Sequence, residues 1–193
     1  MTYHFVNILT WKFFIRPIEG QKIYVDGFLL KLLIYLKTRE TVEKRSGLNF
    51  YHQRNWDKET LFLTRDGKGG FAREFPLENW SSNKDIIISQ DLYNAVVNAN
   101  DIVIGISSTK QDTLAYKIKL VNPNANVYCL GAAIYSTPLL KSESIVNTLG
   151  SMLVSNPKRT LNKLVRSINT FLLDFIFCKN DLKRFMKSHF ERN

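Results

Sequence analysis

Histidine and cysteine are scarce, three and two among 193 residues. Cys129 and Cys178 stand in apolar surroundings with no CxxC pair and no Cys/His spacing. They read as buried thiols of a reducing compartment, not as a disulfide framework or a zinc site. His4, His52 and His189 lack ligand spacing and a neighbouring carboxylate pattern, so no metal and no resident cofactor are expected. An Asp-x-Asp element that would hold a divalent ion against a diphosphate is missing. So are a GxSxG turn and a Cys/His arrangement for nucleophilic catalysis. Long apolar runs are missing too. A spanning helix needs roughly 18 such residues, whereas the nearest stretches, Phe28 to Leu36 and Phe171 to Cys178, are broken by Lys31 and Asp174. The first apolar stretch is interrupted by Lys12 and Arg16 and lacks a signal-peptide pattern. The expectation is a cytosolic protein that is free to lie on a membrane without crossing it.

Acidic residues are in deficit, 17 against 27 Lys and Arg, which leaves a net charge of +10. The excess points to an anionic partner: a phosphate-bearing substrate, a membrane surface or nucleic acid. RNP-like, zinc-finger and helix-turn-helix patterns are missing, so nucleic acid is the reading set aside. With 45 % apolar and 23 % charged residues, no repeat and no low-complexity tract, the composition is that of an ordinary globular chain. Its length suits one domain with a short appendage.

Short β-rich segments recur at Ile23–Val25, Leu61–Thr64, Ile86–Ile88, Ile102–Ile104 and Val127–Leu130. Several are nearly continuous apolar runs, as strands covered on both faces require. Helical stretches at Phe28 to Lys37, Leu92 to Asn98 and Asp112 to Leu120 fall between them. This alternation implies crossover units, and hence an α/β fold with a Rossmann-like, mostly parallel sheet flanked by helices. The loop-rich stretch from Asn55 to Trp80 leaves room for an antiparallel excursion. Beyond residue 139 only helical patterning is found, which divides the chain into an α/β domain (1–139) and a helical tail (140–193). In that tail Leu161, Leu164, Val165, Ile168, Leu172 and Phe175 mark one face of a helix. Residues 141–193 carry ten Lys/Arg against four Asp/Glu, or +6 of the total charge. The tail is therefore a basic amphipathic appendage.

Ligands of open α/β sheets bind beyond the carboxyl ends of the strands, so the residues following each strand come first. Asp26 follows Val25. It suits a general base on a hydroxyl, or a holder of sugar hydroxyls, and equally a cap for the helix that follows. Asp66-Gly67-Lys68-Gly69-Gly70 is open to a phosphate-cradling turn or a plain one. Ser107-Ser108-Thr109-Lys110-Gln111-Asp112 opens a helix and reads either as an anion site with a donor–acceptor amide in Gln111, or as an N-cap with an acidic first turn. Lys44-Arg45-Ser46-Gly47 is a diphosphate clamp or a solvated basic turn.

In their order along the chain these segments resemble the WecG/TagA/CpsF family of bacterial glycosyltransferases. The densest likeness runs from Asn98 to Asp112, where Ser107-Ser108-Thr109-Lys110-Gln111-Asp112 is similar to a Gly-x-Pro-Lys-Gln-Glu signature. Leu130-Gly131-Ala132-Ala133 resembles the glycine-rich strand end that follows. Upstream, Tyr24-Val25-Asp26-Gly27 is similar to an Asp-Gly element, and Lys44-Arg45-Ser46-Gly47-Leu48-Asn49 to an Arg-x-x-Gly-x-Asp element. Downstream, Asn156-Pro157-Lys158-Arg159 resembles the Glu-Pro-x-Arg start of a basic tail. Thr109 stands in place of the signature proline, Ser107 of its glycine and Asp112 of its glutamate.

The resemblance implies an inverting, metal-independent transfer of a sugar of the N-acetylmannosamine type. The donor is a UDP-sugar and the acceptor a polyprenyl-diphosphate-linked glycan of a cell-surface polymer such as a capsule or teichoic acid. It makes Asp26 the general base. It gives Gln111 the donor sugar or diphosphate, with Asp112 and Gly131 beside it, and makes Lys44 or Arg45, with Lys110, the counter-charge to the leaving UDP. Arg159 and Arg166 become tail residues brought to the donor. The tail would then lie on the inner face of the cell membrane, its cations near anionic headgroups. The alternatives are a tail that packs on the sheet domain, and a catalytically degenerate relative that binds nucleotide sugar and partners a polysaccharide synthase. Homo-oligomer formation through the tail's apolar residues is also open.

Overall fold

Side-chain alternation along six short strands decides how the sheet is covered. The computed structural model describes residues 1–14, 20–77, 89–106, 108–135 and 157–190. The strands are β1 (Thr2–Val6), β2 (Gln21–Val25), β3 (Leu61–Thr64), β4 (Glu74–Pro76), β5 (Asp101–Ile104) and β6 (Asn126–Cys129). They form one all-parallel sheet in the order β2-β1-β6-β5-β3-β4. The helices are α1 (Phe28–Thr38), α2 (Gly47–Gln53), α3 (Gln90–Val97), α4 (Ser108–Val121), α5 (Pro157–Phe177) and α6 (Lys179–His189), with 3-10 turns at Trp11–Phe14 and Gly131–Tyr135. The expected α/β architecture is therefore the observed one.

Four of the expected strands are β2, β3, β5 and β6. The expected strand at Ile86–Ile88 lies outside the described residues. Two strands were not expected. β1 takes its place through register with β6, Thr2 opposite Val127 and His4 opposite Cys129. β4 is three residues ending in Pro76, and its sequence carries little strand signal. It exists because Phe62, Leu63 and Thr64 of β3 offer it a partner. It runs parallel to β3, so the antiparallel excursion is corrected to a parallel strand at the end of the sheet, a place where a proline without an N–H is tolerated.

The chain groups into two compact units. The first comprises Met1–Phe5, Ile18–Ile23 and Phe50–Tyr135; the second comprises Val6–Pro17, Tyr24–Asn49 and Ser136–Asn193. In the first, Leu61, Leu63, Ile102, Ile104, Val127 and Cys129 point to one side of the sheet. There they pack with Leu92 and Val96 of α3 and Leu114 and Ile118 of α4. The opposite side is aromatic: Tyr128 stacks on Tyr3 at 4.7 Å between centroids and meets Trp56 edge-on at 5.2 Å, while Phe62 stacks on Phe71 at 3.9 Å. Gly105 leaves β5 with no room for a side chain, since a Cβ there would lie 2.0 Å from Cδ1 of buried Ile134.

The second unit holds α1, α5, α6 and the turn Trp11–Phe14. Proline at the first position of α5 is suited to a helix start, where its missing N–H has no intrahelical partner to lose. Asp174, which interrupts an apolar run in the sequence, is the buried residue of this helix among those described. Its carboxylate accepts from Trp11 Nε1 at 2.8 Å and pairs with Lys12 Nζ at 2.5 Å. The apolar residues around it face outward: Leu161, Val165, Ile168, Leu172 and Ile176 are between 42 % and 64 % exposed. Among the described residues no helix is long and apolar enough to cross a membrane.

Candidate functional site

Asp26 sits immediately after β2, its own N–H donating to the Val6 carbonyl at 2.7 Å. The cap position of α1 is occupied by Gly27, at φ +94°, and no side chain caps that helix. The capping role open to Asp26 in the sequence is therefore not the one it takes. Burial raises its carboxyl above the ordinary value. The backbone N–H of Gly47, the charges of Lys44 and Lys163, and the N–H of Gly27 oppose that rise without cancelling it. The result is a half-buried carboxylate at a strand end, its charge favoured by two amides and two lysines and disfavoured by burial.

Local sequence explains the supporting loop. An isolated parallel bridge joins Val25 to Lys44, and Arg45 N–H donates to the Val25 carbonyl at 2.9 Å. Ser46 Oγ then accepts from Asn49 N–H at 3.0 Å, starting α2 at Gly47. Adjacent residues on an extended segment point oppositely, so Lys44 and Arg45 part company. The field of Lys44 reaches Asp26. The guanidinium of Arg45 lies 5.0 Å from the Tyr24 ring and 3.7 Å from Glu43. Of these two cations, Lys44 is the one whose charge acts on Asp26.

Of the tail residues, Arg166 lies exposed on α5, and the side chain of Arg159 is outside the described set. The α5 cation whose charge acts on Asp26 is Lys163, which sequence reading counted only as tail charge. Helical spacing explains the omission: which side of a basic helix meets a carboxylate depends on how that helix docks.

The other candidates belong to the first unit. Gln111 and Gly131 come together: a Cβ on Gly131, at φ +57°, would stand 3.5 Å from Gln111 Oε1 and 3.3 Å from the Ile106 carbonyl. Gln111 is 5 % exposed, and its Oε1 accepts no hydrogen bond among the described residues. An amide oxygen buried without a donor costs about 1–3 kcal/mol, so a ligand N–H or O–H delivered there would be well received. Lys110 is half-buried in the first turn of α4, and Ser107 lies outside the described residues. Asp112 is committed within the protein, its Oδ1 2.9 Å from His4 Nδ1.

The glycine turn after β3 is a plain turn. Gly67 N–H donates to Thr64 Oγ1 at 3.1 Å, Lys68 N–H to Asp66 Oδ1 at 3.3 Å and Gly69 N–H to Glu74 Oε1 at 2.9 Å. Amides a phosphate would need are spent on the protein's own oxygens. Missed entirely in the sequence was the meeting of His4, Asp112 and Cys129. Residues so far apart in the chain leave no spacing signal.

Comparison of the chain with family models, curated proteins and solved structures gave no match. The functional reading therefore rests on the residues and their surroundings.

Proposed function

We propose that the chain is an inverting glycosyltransferase in which Asp26 acts as general base. The acceptor hydroxyl gives its proton to the Asp26 carboxylate as its oxygen attacks the anomeric carbon. The bond from that carbon to the UDP oxygen breaks, and UDP departs with the electron pair. Because no metal is invoked, cations must balance the leaving diphosphate; Lys44 and Lys163 are the ones nearest in charge to Asp26. The observation that carries the reading is the setting of Asp26. Burial raises its carboxyl and so strengthens it as a base, while two lysines and two amides favour the charged form and limit that rise.

The acceptor in this reading is a lipid diphosphate at the inner face of the cell membrane. The exposed apolar stripe of α5, with Lys158 and Arg166 also exposed on that helix, supports it. Each such cation near an anionic leaflet contributes about 1 kcal/mol.

The test is UDP release from a panel of UDP-sugars with a short lipid-diphosphate acceptor. Asp26→Asn is expected to lower kcat by about 10²–10⁴-fold, the usual worth of a positioned base, with donor affinity preserved. Donor binding without turnover in the wild-type chain would identify a degenerate relative that partners a synthase. Turnover insensitive to Asp26→Asn would overturn the assignment of the base.

A further inference from the structure

Three elements deliver a nitrogen, an oxygen and a sulfur ligand to one place. His4 of β1 and Cys129 of β6 are register partners on adjacent parallel strands, so both side chains leave the sheet on the same side. Both are buried, at 2 % and 1 % exposure. Asp112, in the second turn of α4, meets them there, and one ligand atom from each residue lies within 4.8 Å of the others. We propose that His4, Asp112 and Cys129 form a binding site for one borderline divalent cation of the zinc type, clasping β1, β6 and α4.

The donor set selects the ion. Imidazole and thiolate suit Zn²⁺ and its neighbours, whereas Mg²⁺ and Ca²⁺ take oxygen ligands and a rigid or larger shell. Zinc bonds of about 2.0–2.3 Å in a tetrahedron set ligand atoms roughly 3.3–3.7 Å apart. The His4–Asp112 pair at 2.9 Å must open slightly and the thiol must close in, a change that side-chain torsions supply. Entry releases the Cys129 S–H proton, and the His4 ring takes the ion on Nδ1 with its own proton on Nε2, so two negative ligands and a neutral imidazole face the dication. Asp112 is the only member with appreciable side-chain exposure, 22 %. A water completing the shell would come from its side, as in zinc sites with three protein ligands. The inference does not depend on the glycosyltransferase reading.

Titration of the full chain with Co²⁺, followed by Zn²⁺ competition, tests it. The expected result is one site per chain with intense thiolate-to-cobalt absorption and tetrahedral ligand-field bands, abolished by Zn²⁺. Cys129→Ser should lose the thiolate band, Asp112→Asn should weaken Co²⁺ binding at least about tenfold, and Cys178→Ser should leave both unchanged. Because Cys129→Ser alters the core, the wild-type spectrum decides by itself. Absence of a thiolate band, or octahedral cobalt only, overturns the site. So does a band that survives Cys129→Ser and vanishes in Cys178→Ser.

Discussion

A raised carboxyl carries a consequence for stability as well as for chemistry. Because Asp26 holds its proton more tightly when folded than in the unfolded chain, its contribution is complete below the ordinary value of 3.8 and is lost as pH climbs through the raised folded value. At neutral pH the ionised group therefore opposes folding. Asp26→Asn is expected to raise Tm at pH 7 and to lose that advantage below pH 4, as followed by thermal melts across pH, while turnover falls. A variant less stable than wild type at neutral pH would mean that the lysines and amides outweigh burial. Gly105 supplies a steric counterpart. Gly105→Ala places its methyl 2.0 Å from Ile134 Cδ1, and such overpacking costs about 1–3 kcal/mol. Denaturant melts of Gly105→Ala, Ile134→Ala and the double variant should show the alanine at 134 relieving much of that cost, a coupling of the kind contacting residues display.

Helix α5 is the element where pattern and packing diverge most. Its sequence shows an apolar face, and an apolar face ordinarily turns inward. Here the inward residue is Asp174, because Trp11 Nε1 and Lys12 meet its carboxylate, and the apolar stripe remains in contact with solvent. Removing that acceptor leaves a fully buried indole N–H unmatched. Asp174→Ala is expected to cost about 1.5–3 kcal/mol, the range for hydrogen bonds to charged groups, with a shift in Trp11 fluorescence on chemical denaturation. The stripe itself makes the opposite kind of prediction. Leu172→Glu with Ile176→Glu should leave the unfolding free energy within about 1 kcal/mol of wild type, since both side chains are exposed, while abolishing co-sedimentation with vesicles of anionic lipid. Unchanged vesicle binding would refute the lipid-facing role.

At the scale of the whole molecule, charge and strand order govern what is expected. A net charge of +10, more than half of it in the last 53 residues, predicts vesicle binding that weakens steeply as ionic strength rises, because surface charges are screened over about 8–10 Å near physiological salt. Binding unaffected by salt would assign it to the apolar stripe alone. The strand positions at β3, β5 and β6 were legible because central parallel strands must be apolar on both faces, and that leaves runs such as Ile102-Val103-Ile104, while β2 at the end of the sheet showed through Ile23-Tyr24-Val25. β4 was not, because Glu-Phe-Pro becomes a strand only beside Phe62 and Thr64. Within the candidate sites, Asp26, Gln111 and Gly131 were marked by their place after strands. Lys163 and the His4–Cys129 pairing were not, since neither a helix's docking angle nor a strand's register is written locally.

Residue order alone thus determined the α/β class, four strand positions, a basic helical tail and the acidic residue after β2. These follow from short-range rules of periodicity, burial and charge. Tertiary structure decided the rest: that Lys44 and not Arg45 acts on Asp26, that Asp174 turns inward while leucines turn outward, and that His4, Asp112 and Cys129 meet. Those outcomes depend on which groups distant in the chain arrive together, and each is set by the need to find partners for charges and polar atoms removed from water.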